Sequence, residues 1–322
     1  MFQKRPRHPH PPRRDTLGRR PSGWYSSFAQ AEYGQSSERD YLGDENIVFG
    51  IKINGDAGAY PQRIMGWHEM FVDTVGGVPL AGVYCTLCGA MVLYKTVHDG
   101  VNHELGTSGF LYRSNKLMYD QATQSLWSTL QGKPVVGPLV TQDIQLERGY
   151  VVTTTWGEWR RRHPDTLILS LDTGHVRDYA KSAAYRQYFA TDELMFTVPF
   201  LDRRLKNKDD VLGLACPQYA ERPLAIATAY LNEHRIHHHK IDELALVVLT
   251  DDSGANRVYE ANDITFATWD GDTAVTDNRG TRWGLSEDRL TASDRRVLPR
   301  LPARRSFWFG WHSAHNPTRL VH

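Results

Sequence analysis

The ten residues GVYCTLCGAM (residues 82–91) contain two of the three cysteines of the chain, Cys85 and Cys88, with Gly89 directly after them. Apolar residues flank the motif on both sides, which predicts two strands joined by a tight turn with the thiols at its tip. Glycine accepts the positive φ that closes such a turn, and the turn directs both sulfurs toward one point. This arrangement is typical of a metal-binding Cys-x-x-Cys-Gly turn, whereas a thioredoxin-like Cys-x-x-Cys begins a helix.

His68 is the best candidate for a third metal ligand. Apolar residues recur at helical spacing in RIMGWHEMFVD (residues 63–73), which predicts a helix with His68 on its inward face, ending just before the cysteine turn. Glu69 falls on another face of this helix and is predicted to lie at the surface. Zinc, copper and iron all accept thiolate and imidazole ligands, so the sequence predicts a transition metal without naming it. Further residues expected near this pocket are Met118, Asp120 and Trp127.

Two other functions remain compatible with the same residues. The cysteines could form a metal-free thiol–disulfide pair, or the protein could be a non-catalytic module that binds a peptide or glycan through aromatic side chains. Motifs for nucleotide binding and the common hydrolase motifs are missing, so the sequence does not decide whether the protein is an enzyme. The partner is expected to be a small molecule or another protein.

Composition and charge exclude several classes of protein. The formal net charge is +1 over 322 residues, which argues against nucleic acid as a partner, and three cysteines are too few for a disulfide framework. The sequence contains no apolar run long enough for a transmembrane segment. The basic, proline-rich start lacks the apolar middle of a signal peptide, which predicts a cytoplasmic location and a disordered tail over residues 1–43.

The second part of the chain resembles the first, which predicts an internal duplication. The segment that begins at Leu246 aligns with the cysteine motif and places Thr250 and Ser253 opposite Cys85 and Cys88. Closely spaced short strands and turn signals, such as Asn54-Gly55, indicate a β-rich α+β fold. We therefore expect two related halves of β-hairpins and short helices, residues 44–205 and 206–322, packed as one globular unit.

Several long segments in a fixed order resemble a prokaryotic family called domain of unknown function 3179. They include VFGIKINGDAGAYP (residues 48–61), GWHEMFVDTVGGVPLAGVYCTLCGA (residues 66–90) and RLPARRSFWFGWHSAHNPT (residues 300–318). Members of that family usually have proline between the two cysteines, where this chain has Thr86. The resemblance covers residues 46–318 and implies no particular reaction, since none is established for the family. Many of its members look exported.

Overall fold

Antiparallel strand pairs provide most of the regular structure in the computed structural model, which describes residues 3–4, 33–34, 41–198, 200–215 and 222–322. The α-helices of these described residues are short, with seven residues at most. The predicted β-rich α+β class is therefore confirmed.

Two groups of elements follow one another along the chain, and they are separated by a long segment with a single short helix. The first group comprises β1 (Gln3–Lys4), β2 (Tyr33–Gly34), β3 (Ile47–Ile53), β4 (Asp56–Pro61), α1 (Gln62–His68), β5 (Met70–Val75), β6 (Val78–Cys85), β7 (Ala90–Lys95), β8 (Val97–His98), β9 (Val101–Asn102), β10 (Leu105–Tyr112), β11 (Asn115–Asp120), β12 (Leu126–Ser128), β13 (Lys133–Val136), β14 (Val152–Thr155), α2 (Trp156–Arg162) and β15 (Leu167–Leu169). The separating helix is α3 (Arg186–Phe189). The second group comprises β16 (Asp210–Leu214), β17 (Leu224–Ala227), α4 (Thr228–Glu233), β18 (Ile236–Ile241), β19 (Leu244–Thr250), β20 (Asn256–Glu260), β21 (Phe266–Trp269), β22 (Ala274–Asp277), β23 (Arg282–Leu285), β24 (Arg289–Ala292), β25 (Val297–Pro299), β26 (Ala303–Phe307), α5 (Trp308–Ala314) and β27 (Arg319–Val321).

The main sheets of the two groups have the same strand order. In the first group β14, β3, β4 and β15 lie side by side, and in the second group β26, β16, β17 and β27 do so. In both sheets the first two pairings are antiparallel and the last is parallel. A three-stranded antiparallel sheet follows in each group, β5-β6-β7 in the first and β18-β19-β20 in the second.

A short helix with a buried tryptophan, which we call a tryptophan helix, packs against each main sheet. Trp159 of α2 and Trp311 of α5 are fully buried, and each indole N–H donates to a threonine hydroxyl seven residues later, at 2.9 and 3.1 Å. Each ring lies on a strand glycine: a Cβ added to Gly50 or to Gly213 would come within 2.3 or 2.2 Å of it. Glycine at these two positions therefore lets the helix approach the sheet closely.

Each three-stranded sheet packs its turn against the other group. The Ser306 hydroxyl, in β26, donates to the carbonyl oxygen of Cys88 at 3.4 Å, and β26 contacts β7. In the reciprocal contact, the hydroxyls of Thr154 in β14 and Ser253 lie 3.0 Å apart, and β14 contacts β20. The two groups therefore contact each other at both turns.

Local turn chemistry is as predicted at Asn54-Gly55, but the predicted helix over residues 63–73 is wrong in its second part. Asn54 and Gly55 both have positive φ and join β3 to β4 as a hairpin. Helix α1 ends at His68, because Glu69 adopts the left-handed conformation with φ of 61°. The residues after it form β5, which pairs with β6. Pairing with β6 therefore makes residues 70–75 a strand, although their apolar residues continue the helical spacing.

The predicted tail lies largely outside the described residues. Its strands Gln3–Lys4 and Tyr33–Gly34 pair with β10 and β15. The prediction of disorder over residues 1–43 and the boundary between the two halves stay predictions. Among the described residues, the helices are all too short to cross a membrane.

Candidate functional site

The two cysteines of the motif lie at the tip of the β6–β7 hairpin, as predicted. Strand β6 ends at Cys85, one turn of 3-10 helix spans Thr86–Cys88, and β7 begins after Gly89. Gly89 has a φ of 61°, and its N–H donates to the Thr86 carbonyl at 3.3 Å. The glycine after the second cysteine therefore closes the turn through a conformation that other residues rarely adopt.

The turn brings the two thiols into contact. Both cysteines are fully buried, and their Sγ atoms lie 2.8 Å apart. The Cys88 thiol also lies 3.1 Å from the carbonyl oxygen of Ser114, which accepts its hydrogen bond. Disulfide formation therefore needs only a small movement of the sulfur atoms, since an S–S bond is about 2.05 Å long.

An apolar cluster surrounds the thiols and excludes solvent. It includes Met118 and Trp127, both fully buried, and their predicted role in a binding pocket stays a prediction. Helix α5 covers Cys88 from the other group: a Cβ added to Gly310 would lie 3.0 Å from the Cys88 Cβ. The sulfurs are thus sealed under a helix that a larger residue at position 310 would push away.

A buried ion pair lies beside the cysteine strand. The side chains of Lys116 and Glu69 are fully buried, with Nζ 3.4 Å from Oε2. The Lys116 ammonium also donates at 3.2 Å to the Glu69 carbonyl, which accepts the N–H of Tyr84 at 2.7 Å. It is therefore anchored to the strand segment next to Cys85, and the predicted surface position of Glu69 is wrong. No sequence signal marked this pair, because β5, β6 and β11 come together only in the folded chain.

His68 is buried as predicted, but its observed partner is a tyrosine. Its Nε2 atom lies 2.6 Å from the hydroxyl of Tyr179, which in turn lies 2.6 Å from the hydroxyl of Thr173. The His175 ring is 5.5 Å from the His68 ring. In residues 41–198, 200–215 and 222–322, no group of three or more histidine, cysteine, aspartate or glutamate side chains is placed to hold a metal ion.

Asp120 stabilises the turn after β11. It accepts hydrogen bonds from the His103 ring at 2.9 Å and from the Thr123 N–H at 2.8 Å. Burial alone would raise the pKa of Asp120, but the hydrogen bonds from His103 and Thr123 lower it. The His103 ring also packs edge-on against Trp127. Asp120 is therefore linked to the apolar cluster around the thiols through His103, which contacts Trp127.

The turn between β19 and β20 in the second group contains no cysteine and is stabilised by charged side chains. Asp251 follows β19 and accepts from the N–H and the hydroxyl of Ser253 at 3.0 and 2.7 Å, and Gly254 has a φ of 78°. Arg257 pairs with Asp251 and with Glu287, both at 2.8 Å, in a buried cluster. Burial opposes ionisation of Glu287, yet Arg257 holds its pKa well below the usual range. The third cysteine, Cys216, lies outside the described residues.

Comparison with known proteins identifies the family. Neither a curated protein nor a solved structure shows significant similarity to the chain. Residues 27–318, most of the chain, match the family described as protein of unknown function (DUF3179). The match includes the elements from β2 to α5 and the buried Cys-x-x-Cys turn. The chain is therefore a member of the DUF3179 family.

Proposed function

We propose that Cys85 and Cys88 form a redox-active pair that alternates between two thiols and a disulfide. The observation that carries the proposal is the 2.8 Å separation of two buried sulfur atoms in one turn. One thiolate attacks a disulfide of the partner and releases the first partner thiol, leaving a mixed disulfide. The second thiolate then closes the Cys85–Cys88 disulfide and releases the second partner thiol. Two electrons and two protons pass to the partner.

Access and charge would both regulate this exchange. The sulfurs lie beneath α5, so a small-molecule or protein disulfide reaches them only when α5 moves away from Cys88. The ammonium of Lys116 is anchored beside Cys85 and favours the thiolate, while the carboxylate of Glu69 opposes it. The ion pair would therefore set the pH at which the pair becomes reactive.

Metal binding through Cys85, Cys88 and His68 is the competing proposal. Zinc, copper or iron would be held by two thiolates and one imidazole, but the donor set around the sulfurs fits this poorly. Tetrahedral ligation with bonds of about 2.3 Å separates two sulfurs by roughly 3.8 Å, more than the 2.8 Å observed. His68 is moreover engaged with Tyr179. We derive no reaction step through a metal.

The two groups of elements are best explained by an internal duplication. The matching strand orders, the paired tryptophan helices and the two glycine-closed turns support it. Thr250 ends β19 as Cys85 ends β6, and Gly254 corresponds to Gly89. In this proposal the hairpin belongs to the fold, and the thiols are an addition to the first copy.

The deciding experiment counts thiols and metal in one preparation. Protein purified without a histidine tag is incubated with reduced or oxidised glutathione, then alkylated in denaturant and weighed by mass spectrometry. We expect a reversible loss of two alkylation sites and a mass decrease of about two hydrogens per disulfide. The Cys216→Ser variant is the matched control and should behave identically. Cys85→Ser and Cys88→Ser should each abolish the change.

Elemental analysis of the same samples separates the two proposals. Less than about 0.1 equivalent of transition metal, together with a reversible disulfide, supports the dithiol pair. A stoichiometric metal that disappears in the Cys88→Ser variant, with no disulfide formed, would overturn it in favour of the metal site.

A further inference from the structure

A cavity of about 330 Å³ opens beside the cysteine turn. We call it the α1 cavity, because Gln62, Arg63 and Gly66 of helix α1 form one wall. Thr86 of the turn contributes another part of the lining. Its volume falls at the lower end of the range for small-molecule sites, which begins near 300 Å³.

Tyr84 is a buried residue in the lining of the α1 cavity and carries a hydroxyl group. This side chain is 1% exposed, and its oxygen accepts a hydrogen bond from the Gln62 amide at 3.0 Å. Burial raises the pKa of Tyr84 far above its usual value, so the phenol keeps its proton. Among the described residues, that proton has no acceptor within hydrogen-bond distance. A buried donor that faces a cavity favours a ligand with an acceptor atom.

A cation lies on the same wall. The guanidinium of Arg63 donates to the carbonyl of Tyr41 at 2.9 Å and to the side-chain oxygen of Asn46 at 2.6 Å. Both acceptors are neutral, and within the described part of the chain no carboxylate lies within 4.0 Å of this guanidinium. By contrast, Lys181 and Glu45, two exposed residues of the lining, pair with each other at 3.3 Å. Arg63 is thus hydrogen-bonded to neutral groups, while its charge acts at longer range on Glu45, another residue of the lining. Its guanidinium can still donate to an anion in the cavity.

The lining also has an apolar part beside its polar residues, which include Glu45 and Lys181. Phe189 and Phe307 meet edge to face with ring centroids 6.1 Å apart, and Ile47 and Ala184 also line the cavity. These side chains can cover a ring or a short alkyl chain.

We infer that the α1 cavity binds a small carboxylate with an apolar body. The carboxylate accepts from the guanidinium of Arg63 and the hydroxyl of Tyr84, and the apolar part lies against Phe189 and Phe307. The inference goes beyond the proposed dithiol function, because neither sulfur lines the cavity and no redox step is involved. Its failure would leave the thiol experiment unaffected.

The test compares three probes of similar shape and different charge: phenylacetate, phenylacetamide and phenethylamine. Binding is measured by isothermal titration calorimetry and saturation-transfer NMR on the full chain. We expect saturable binding of phenylacetate, at least about tenfold weaker binding of the neutral amide, and none of the amine. Equal binding of acid and amide, or no saturable binding of phenylacetate at about 10 mM, would overturn the inference.

Two variants locate the site. Tyr84→Phe keeps the ring and removes only the hydroxyl, and we expect it to weaken phenylacetate binding about five- to tenfold. Arg63→Gln keeps a hydrogen-bond donor and removes the charge, and it should weaken binding at least tenfold. The exposed Arg279→Gln is the matched control. Circular dichroism and the melting temperature verify folding; unchanged affinity in a folded Tyr84→Phe or Arg63→Gln variant would contradict the assignment.

Discussion

Lys116→Met tests the buried ion pair next to the thiols. The substitution keeps most of the side-chain volume but removes the ammonium that lies 3.4 Å from the Glu69 carboxylate. Both side chains are fully buried, so water cannot replace the lost partner. Removing one member of a fully buried pair costs about 3–5 kcal/mol of unfolding free energy, and we expect a loss in this range.

A surface pair of the same chemistry supplies the control. Lys95 and Glu147 lie 2.5 Å apart with 38% and 66% of their side chains exposed. Exposed pairs are worth up to about 1 kcal/mol, so Lys95→Met should cost no more than that. If distance alone decided, Lys95→Met would lose more unfolding free energy than Lys116→Met, because its pair is shorter. We expect the opposite, because only the Lys116 pair is buried.

Urea unfolding followed by tryptophan fluorescence measures both variants. The double variant Lys116→Met/Glu69→Gln completes the cycle and should be more stable than Lys116→Met alone, because it no longer contains a buried carboxylate without its cation. A loss below about 1 kcal/mol in Lys116→Met, or simple additivity in the double variant, would refute the reasoning.

Three further predictions concern packing, pH and the turn. Gly50→Ala and Gly213→Ala place a Cβ within 2.3 and 2.2 Å of a tryptophan ring, so each should lose about 1–3 kcal/mol in thermal unfolding, whereas Gly284→Ala, whose nearest atom is 3.8 Å away, should lose less. Burial, with the charge of Arg304, lowers the pKa of His315 to about 2. The unfolded chain therefore binds the proton first, and the free energy of unfolding should fall below about pH 6.5 by up to roughly 1.4 kcal/mol per pH unit, with a shallower slope in His315→Asn. Cys88→Ser should keep the fold, at a cost below about 2 kcal/mol by urea titration, since Thr250 and Ser253 form the same kind of turn; a global loss of structure would instead indicate a structural metal.

Features set by neighbouring residues could be predicted from the sequence. Asn54-Gly55 and the Cys-x-x-Cys-Gly turn depend on positive φ at one or two positions, and glycine or asparagine there marks the turn directly. The inward direction of His68 followed from helical spacing, because α1 includes it as its last residue.

Features that depend on pairing between distant segments could not be predicted from the sequence. Helical spacing continued past Glu69, but the pairing of β5 with β6 ended the helix there and buried this carboxylate. The partner of His68, Tyr179, is 111 residues away in sequence. Burial of Lys116 likewise depends on where β11 lies relative to β5, which no local pattern records.

The strand order of the main sheets also constrains the order of folding. Val152 pairs with Gly50, and Ala303 pairs with Leu214. Each outer strand can therefore pair only after a very long intervening segment has been brought back to the sheet. Closing such a segment costs entropy that only later contacts repay, and chains with many distant pairings fold on the order of milliseconds to seconds. The hairpins inside each segment can form earlier. Trp159 and Trp311 become buried only when the outer strands arrive, so their fluorescence follows the final step of assembly.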